Sequence, residues 1–166
     1  FRAFYGVPDT VKAPNGMPVN AVRGFLDMIA KLVTTYEPTH LVACWDDDWR
    51  PQWRGDLIPS YKTHRVVEVV TGGPDVEEVP DPLEVQVPLI REALAALGIT
   101  IIGAAEHEAD DIIGTLARRF ASPDVKVSIV SGDKDFYQLI DENISILDVM
   151  KDKTVRHEGV HEKFGV

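Results

Sequence analysis

Acidic side chains gather at two junctions where an apolar run gives way to a helical pattern. Glu108, Asp110 and Asp111 form the first group, and Asp133 and Asp135 form the second. Crowded carboxylates repel one another, so their presence requires a counter-charge. Divalent cations such as Mg²⁺ and Mn²⁺ take oxygen ligands and would cancel that repulsion. The pattern therefore predicts a site for divalent metal ions.

Asp46 adds a third acidic position, at the end of another short apolar run. If the three runs are parallel strands, their carboxyl ends meet at the sheet edge where ligands bind in open α/β folds. For Asp47 and Asp48, the start of a polar loop explains the residues as well as a metal role does. The predicted metal ligands are Asp46, Glu108, Asp110, Asp111, Asp133 and Asp135.

Apolar residues at helical spacing predict the helices that would hold these acids in place. One helix is predicted over residues 19–36 with Asn20 as a cap, and another over 83–97, ending at Gly98. A third follows Glu108, and a short one is predicted over 136–140. The core stripe of the first is predicted to be Val22, Phe25, Ile29, Leu32, Val33 and Tyr36, and that of the third Ile112, Ile113, Leu116, Ala117 and Phe120.

Short apolar runs alternate with these helices and predict strands. Strands and helices that alternate at this length are typical of an α/β fold with a parallel sheet. The predicted strands cover residues 40–45, 99–102, 125–130 and 144–149.

The composition is that of one domain with a single core, since the chain has 166 residues of which 45% are hydrophobic. A net charge of −10 argues at first against a nucleic-acid partner. However, eight negative charges lie in three short clusters, within residues 46–48, 108–111 and 133–135, and the rest of the chain is close to neutral. Cys44 is the single cysteine, so we expect no disulfide and a reducing, cytoplasmic setting. No secretory or membrane-spanning segment is evident in the sequence, and we expect no membrane partner.

Residues 47–82 interrupt the alternation with prolines, glycines, aromatic residues and cations. A connection this long is usually functional or disordered. In its first half Lys62 and Arg65 are candidates to bind phosphates, and Tyr61 is a candidate to stack on a base. The alternative is an ordinary loop with an aromatic plug. The second half, residues 66–81, is expected to be mobile, and Arg2 is a weaker candidate for phosphate contact.

A site made only of carboxylates favours phosphodiester hydrolysis, because two metal ions can activate water and stabilise both oxygens of an in-line displacement. Other acidic or phosphate-binding motifs do not match. The sequence after Asp48 differs from that of haloacid-dehalogenase phosphatases, neither acidic group fits an EF-hand loop, and no phosphate-binding Gly-Lys-Ser/Thr loop is present. The five histidines lack metal-ligand spacing, and Cys44 is expected to pack rather than react.

These motifs resemble the bacterial 5′-3′ exonucleases and flap endonucleases, a family that includes the 5′-nuclease domain of DNA polymerase I. Residues 108–117 and 131–135 match its two most specific motifs, and Trp45-Asp46 matches an acidic strand end. Arg54, Tyr61, Lys62 and Arg65 match its Arg…Tyr-Lys-x-x-Arg pattern, and we call residues 54–65 the gateway segment. Arg2-Ala3-Phe4 resembles the family's segment after its first strand.

The resemblance implies a PIN-like, flap-endonuclease-type domain over residues 1–166, with a mostly parallel central sheet and an arch region at about 48–82. It implies a 5′ nuclease that uses two Mg²⁺ or Mn²⁺ ions on DNA with 5′ flaps, nicks or ends, in replication and repair. Asp135 would help to hold the second ion, and the other five carboxylates would serve the first. Lys62 and Arg65 would stabilise the scissile phosphate, Tyr61 would stack on a base, and Arg2 and Arg54 would contact the substrate.

Two parts of the family pattern are expected outside this sequence. The family's first metal-binding aspartate lies before Arg2, and a second acidic pair with a helix-hairpin-helix lies beyond residue 166. We therefore expect the chain to be cut at both ends. One alternative is a PIN-type endoribonuclease, and another is a DNA-structure-binding module that no longer cuts. The sequence leaves the oligomeric state open.

Overall fold

The computed structural model describes residues 1–71, 75–149 and 151–165. The chain forms two compact units, Phe1–Glu108 and Ala109–Val166. Both combine helices with parallel strand pairs, which confirms the predicted α/β class.

The first unit is built around one pair of parallel strands. β1 (Val42–Cys44) pairs with β4 (Thr100–Ile102), and Ala43 lies opposite Ile101. Both predicted strands are confirmed, although each is shorter than its apolar run. The remaining elements are α1 (Arg2–Gly6), α2 (Asn20–Tyr36), α3 (Gln52–Leu57), a 3-10 helix (Thr63–Arg65), β2 (Val66–Glu68), β3 (Val76–Glu77), α4 (Asp81–Glu84) and α5 (Val87–Ala96).

The second unit is a three-stranded sheet with its own core. β5 (Val127–Val130) is parallel to β6 (Ile144–Asp148), and β7 (Lys153–Val155) is antiparallel to β6. The other elements are α6 (Ala109–Phe120), a 3-10 helix (Lys134–Leu139) and α7 (His157–Phe164). The core cluster consists of Ala117, Ile129, Phe136, Ile144, Ile146 and Val155.

The ends of two predicted core stripes are exposed. Val33 and Tyr36 are 47% and 42% exposed at the last turn of α2, and Phe120 is 57% exposed at the end of α6. The last turn of an amphipathic helix can project beyond the surface that it packs on, so periodicity alone overestimates the buried stripe. These three assignments were wrong.

The helix predicted over 83–97 is two helices, α4 and α5, with a break at Val85 and Gln86. Pro88 lies in the first turn of α5, where the missing N–H of proline costs nothing. The predicted stop is confirmed: Gly98 has φ +70°, a left-handed conformation that glycine adopts without strain, directly after the last turn.

Gln86 lies at the break, and its side chain fastens the start of α5 to the start of α2. Its Oε1 accepts from the backbone N–H of Ala21 at 2.8 Å, and its Nε2 donates to Asn20 Oδ1 at 3.0 Å and to the Pro82 carbonyl at 2.7 Å. The predicted cap role of Asn20 was wrong. Val19 is the cap residue of α2, and the Asn20 amide donates to the Phe4 carbonyl instead.

The arch region contains a β-hairpin, in which β2 and β3 pair in antiparallel fashion. Four of residues 66–70 are valines, whose branched side chains disfavour a helix and favour a strand. The predicted mobility of residues 66–81 is not tested, and residues 72–74 lie outside the described residues. Within the described ranges, no helix is both long and apolar enough to cross a membrane.

Replacing Gln86 by Met keeps the side-chain volume but removes every hydrogen bond that the amide makes. Gln86 is 0% exposed, so the abandoned backbone and amide groups stay buried without those bonds. We expect the free energy of unfolding to fall by about 2–3 kcal/mol, measured by urea denaturation. Gln52→Met is the control, because Gln52 bonds Asp56 on the exposed surface of α3. A loss as small as that of the control would contradict the structural role of Gln86.

Candidate active site

Glu108 is the centre of a polar cluster in the first unit, although only 3% of the residue is exposed. Its Oε2 accepts from the ammonium of Lys62 at 2.6 Å, and its Oε1 accepts from the hydroxyl of Tyr61 at 2.7 Å. Arg54 Nε lies 3.4 Å from the same Oε1. Three residues of the gateway segment therefore meet at Glu108, which is itself a predicted metal ligand.

The backbone around Lys62 directs its side chain into this cluster. Lys62 has φ 51° and ψ 17°, a left-handed conformation that is unfavourable for a residue with a side chain. Its ammonium also donates to the carbonyl of Trp49 at 2.8 Å. Two contacts of the amine thus hold Lys62 in a conformation that its backbone disfavours.

Arg54 contacts two aromatic rings, that of Trp53 directly before the gateway segment and that of Tyr61 within it. Its guanidinium carbon is 4.6 Å from the ring centre of Trp53 and 5.7 Å from that of Tyr61. Trp53 is fixed by a hydrogen bond from its Nε1 to the carbonyl of Glu106 at 3.0 Å. Cation–π contacts of this kind orient Arg54 beside Glu108.

Arg65 has an acidic partner on the hairpin. It forms an ion pair with Glu77 of β3, and its guanidinium carbon lies 5.4 Å from the ring centre of Trp49. Trp49 is 8% exposed and donates from Nε1 to the carbonyl of Asp75 at 2.7 Å. The predicted phosphate ligand Arg65 is therefore neutralised within the protein.

Arg50 and Asp75 organise this region, and sequence reasoning did not assign them a role. Arg50 pairs with Asp75 and donates from Nε to the carbonyl of Tyr61 at 2.7 Å. Asp75 also accepts from the backbone N–H of Val70 at 3.0 Å. The partners are 25 residues apart, so no local spacing connects them. The only signal was an arginine beside tryptophan in the segment that interrupts the fold.

The acids after β1 differ in surroundings. Asp46 is exposed, whereas Asp48 is 7% exposed and accepts from the backbone N–H of Arg50 at 3.1 Å. The latter bond supports the polar-loop interpretation of Asp48. A Cβ on Gly103, which follows β4, would lie 2.3 Å from Asp47 Oδ2, so a side chain at this position would displace the exposed carboxylate of Asp47. Burial in β1 raises the pKa of the Cys44 thiol, in keeping with a packing role.

The second unit holds the remaining predicted ligands. Asp110 and Asp111 lie in the first turn of α6, where the helix dipole stabilises negative charge. Asp133 follows β5 and caps the 3-10 helix, because its Oδ1 accepts from the N–H of Asp135 at 2.9 Å. This hydrogen bond brings Asp133 and Asp135 together.

The donors fit a hard divalent cation by type, since every predicted ligand is a carboxylate and Glu108 is a buried one. They are divided between the two units, and their convergence stays a prediction. Among the described residues, no three His, Cys, Asp or Glu side chains form a group that could hold a metal ion. In the first unit the charge of Glu108 is balanced by Lys62 instead. Arg2 is exposed at the start of α1, and its predicted substrate contact is also untested.

A family model described as 5′-3′ exonuclease, N-terminal resolvase-like domain, matches residues 1–165. The chain belongs to this family. Membership agrees with the predicted resemblance, which rested on the motifs around Glu108 and Asp133.

Relatives of this 5′-3′ exonuclease family are similar over most or all of the chain. A 5′-3′ exonuclease of Streptomyces coelicolor is 54% identical and covers 100% of this chain, which spans 56% of that protein. One from Mycobacterium tuberculosis is 55% identical over 84% of this chain and 44% of its own length. DNA polymerase I of Rhizobium leguminosarum is 38% identical over 100% of this chain and 16% of its length. The chain thus spans about half of the exonucleases that it matches.

The fold is similar to that of a solved flap endonuclease of bacteriophage T5, crystallised with DNA and metal ions. The TM-score is 0.66 at 14% identity, over 99% of this chain and 57% of the phage protein. This likeness confirms the predicted PIN-like, flap-endonuclease-type fold.

Arg50→Met should loosen the arch region, because it leaves the buried carboxylate of Asp75 without its guanidinium partner. The two side chains are only 14% and 9% exposed. We expect a loss of about 3 kcal/mol in the free energy of unfolding, measured by urea denaturation, and faster thermolysin cleavage within residues 61–71. Arg23→Met is the control, because its pair with Asp27 is 67% and 60% exposed and should contribute less than about 0.5 kcal/mol. Equal losses for both variants would refute the assignment.

Proposed function

We propose that this chain is the catalytic part of a metal-dependent 5′ nuclease that hydrolyses phosphodiesters of DNA. The observation that carries the proposal is the buried cluster in which Lys62 and Tyr61 contact Glu108, in a chain of the 5′-3′ exonuclease family. Such a cluster places a cation and an aromatic hydroxyl beside an acid suited to metal binding.

The activities after which several relatives are named support this proposal. The Streptomyces and Mycobacterium relatives are 5′-3′ exonucleases, the Rhizobium relative is a DNA polymerase I, and the phage flap endonuclease was crystallised with DNA and metal ions. We infer that the substrate is DNA with 5′ flaps, nicks or ends, and that the setting is DNA replication and repair in the cytoplasm. Residues 1–166 would form the PIN-like catalytic domain, and a helix-hairpin-helix that grips duplex DNA would belong to the remainder of the protein.

Mg²⁺ or Mn²⁺ is the proposed cofactor, with two ions in the complete protein. Such ions, when bound, supply water activation and stabilise charge on the oxygens of the displacement. Asp135 is proposed for the second ion. The ligands proposed for the first are Asp46, Glu108, Asp110, Asp111 and Asp133.

The gateway residues would bind and orient the substrate. Lys62 and Arg65 carry positive charge that can stabilise the scissile phosphate, and Arg65 must exchange Glu77 for phosphate to do so. Tyr61 can stack on the adjacent base. Arg54, held by the two aromatic rings, can contact the backbone of the strand, and Arg2 would make a further substrate contact.

Incubation of the complete protein with a 5′-flap DNA and with a matched single-stranded RNA, in Mg²⁺, tests the proposal. We expect the DNA to be cut near its 5′ end, leaving a 5′-phosphate and a 3′-hydroxyl. Cleavage of the RNA alone would overturn the proposal in favour of a PIN-type endoribonuclease. Binding of the flap without cleavage would instead favour an inert DNA-structure-binding module.

Lys62→Ala should slow cleavage more than it weakens binding, because the ammonium is assigned to charge that develops during the reaction. We expect the single-turnover rate to fall by roughly a hundredfold or more. The dissociation constant for DNA, measured in Ca²⁺, should change far less. Lys12→Ala, in the exposed loop before α2, is the control and should retain the rate. The reverse pattern would make Lys62 a phosphate anchor.

A further inference from the structure

Lys62 holds the carboxylate oxygen that the proposed function assigns to a divalent cation. The 2.6 Å distance between its ammonium and Glu108 Oε2 is that of a charge-assisted hydrogen bond. The side chains are 22% and 4% exposed, so the pair is shielded from water. An ammonium and a divalent cation repel one another strongly in such surroundings. The two cannot both bind Glu108 at close range without a large cost.

Two more groups approach the other oxygen of Glu108. Tyr61 donates to Oε1 at 2.7 Å, and Arg54 Nε lies 3.4 Å from that atom. The protein therefore supplies one hydroxyl and two cations to a single carboxylate. This arrangement balances the acid without a metal ion.

The backbone conformation at Lys62 depends on the contact between its ammonium and Glu108. A left-handed conformation costs about 1 kcal/mol or more for a residue with a side chain. The contacts of the amine with Glu108 and with the Trp49 carbonyl offset this cost. When the contact with Glu108 is lost, the conformation at φ 51° loses support. Residues 61–65 would then relax.

We propose that Lys62 is an internal counter-cation of Glu108 that leaves this carboxylate when a divalent cation binds it. The inference rests on the proposed metal-dependent function. Departure of Lys62 removes one support of the left-handed backbone in the gateway segment and makes the ammonium available to a phosphate. Without a divalent cation, the same ion pair neutralises Glu108 and withholds Lys62 from the substrate. Metal loading and substrate contact are coupled through one lysine.

Acetylation of lysine amines in the complete protein, with and without Mg²⁺ and with no DNA present, tests the release directly. Mass spectrometry of the peptides gives the rate at each lysine. We expect the rate at Lys62 to rise several-fold in saturating Mg²⁺, because the amine leaves a shielded ion pair. Lys12, which is exposed, is the internal control and should react at the same rate in both conditions.

Calorimetric titration with Mg²⁺ measures the competition. Lys62→Met removes the competing cation and should tighten Mg²⁺ binding on the order of tenfold. Lys12→Met makes the same change in net charge and should leave the dissociation constant unaltered. Lys62→Gln keeps a hydrogen-bond donor for Glu108 and serves if the Met variant does not fold. It should also bind Mg²⁺ more tightly than the wild type.

The outcomes separate this inference from the proposed function. If calorimetry shows bound Mg²⁺ while Lys62 stays protected from acetylation, the counter-cation role is refuted and the metal-dependent nuclease stands. Unaltered Mg²⁺ affinity in both Lys62 variants would refute it as well. If the wild-type protein binds no divalent cation and cleaves DNA without one, both proposals fail.

Discussion

A carboxylate that is 3% exposed can keep its charge only if nearby groups compensate for the lost hydration. This requirement of Glu108 determines the arrangement of the first unit around it. Lys62 adopts a left-handed backbone, Tyr61 turns its hydroxyl inward, and Arg54 is held between two rings, all beside one acid. Charged and polar contacts therefore connect the gateway segment to Glu108, six residues after β4 ends.

Acidic partners within the arch region pair with its remaining cations. Arg65 pairs with Glu77 and Arg50 pairs with Asp75, both on or beside the hairpin. An anion that binds Arg65 has to displace Glu77. Salt screens both contacts, so its effects on the internal pair and on the external anion oppose each other. The net charge of −10 therefore does not describe this region, in which cations and acids are paired.

Periodicity was sufficient for the elements that pack on one face. The bounds of α2 follow closely from apolar spacing, and the parallel direction of β1 and β4 follows from the alternation of strands and helices. Long-range contacts were not predictable. Gln86 bonds residues of α2 that are 65 and 66 residues away in sequence, and Arg50 meets an acid 25 residues away. At the site, the clustered acids, the basic segment and the motif resemblance all indicated Glu108 and Lys62 as functional residues, but no spacing indicated that they contact each other.

At position 62 the backbone conformation and the side-chain contact favour different amino acids. The conformation at φ 51° suits glycine or asparagine, whereas the cluster requires a long ammonium side chain. A redesign that scored local backbone preference alone would replace this lysine and remove the partner of Glu108. The conformational cost of about 1 kcal/mol or more is offset by the contacts of the amine together with the backbone of the turn, where the N–H of Arg65 donates to the carbonyl of Lys62 at 3.0 Å.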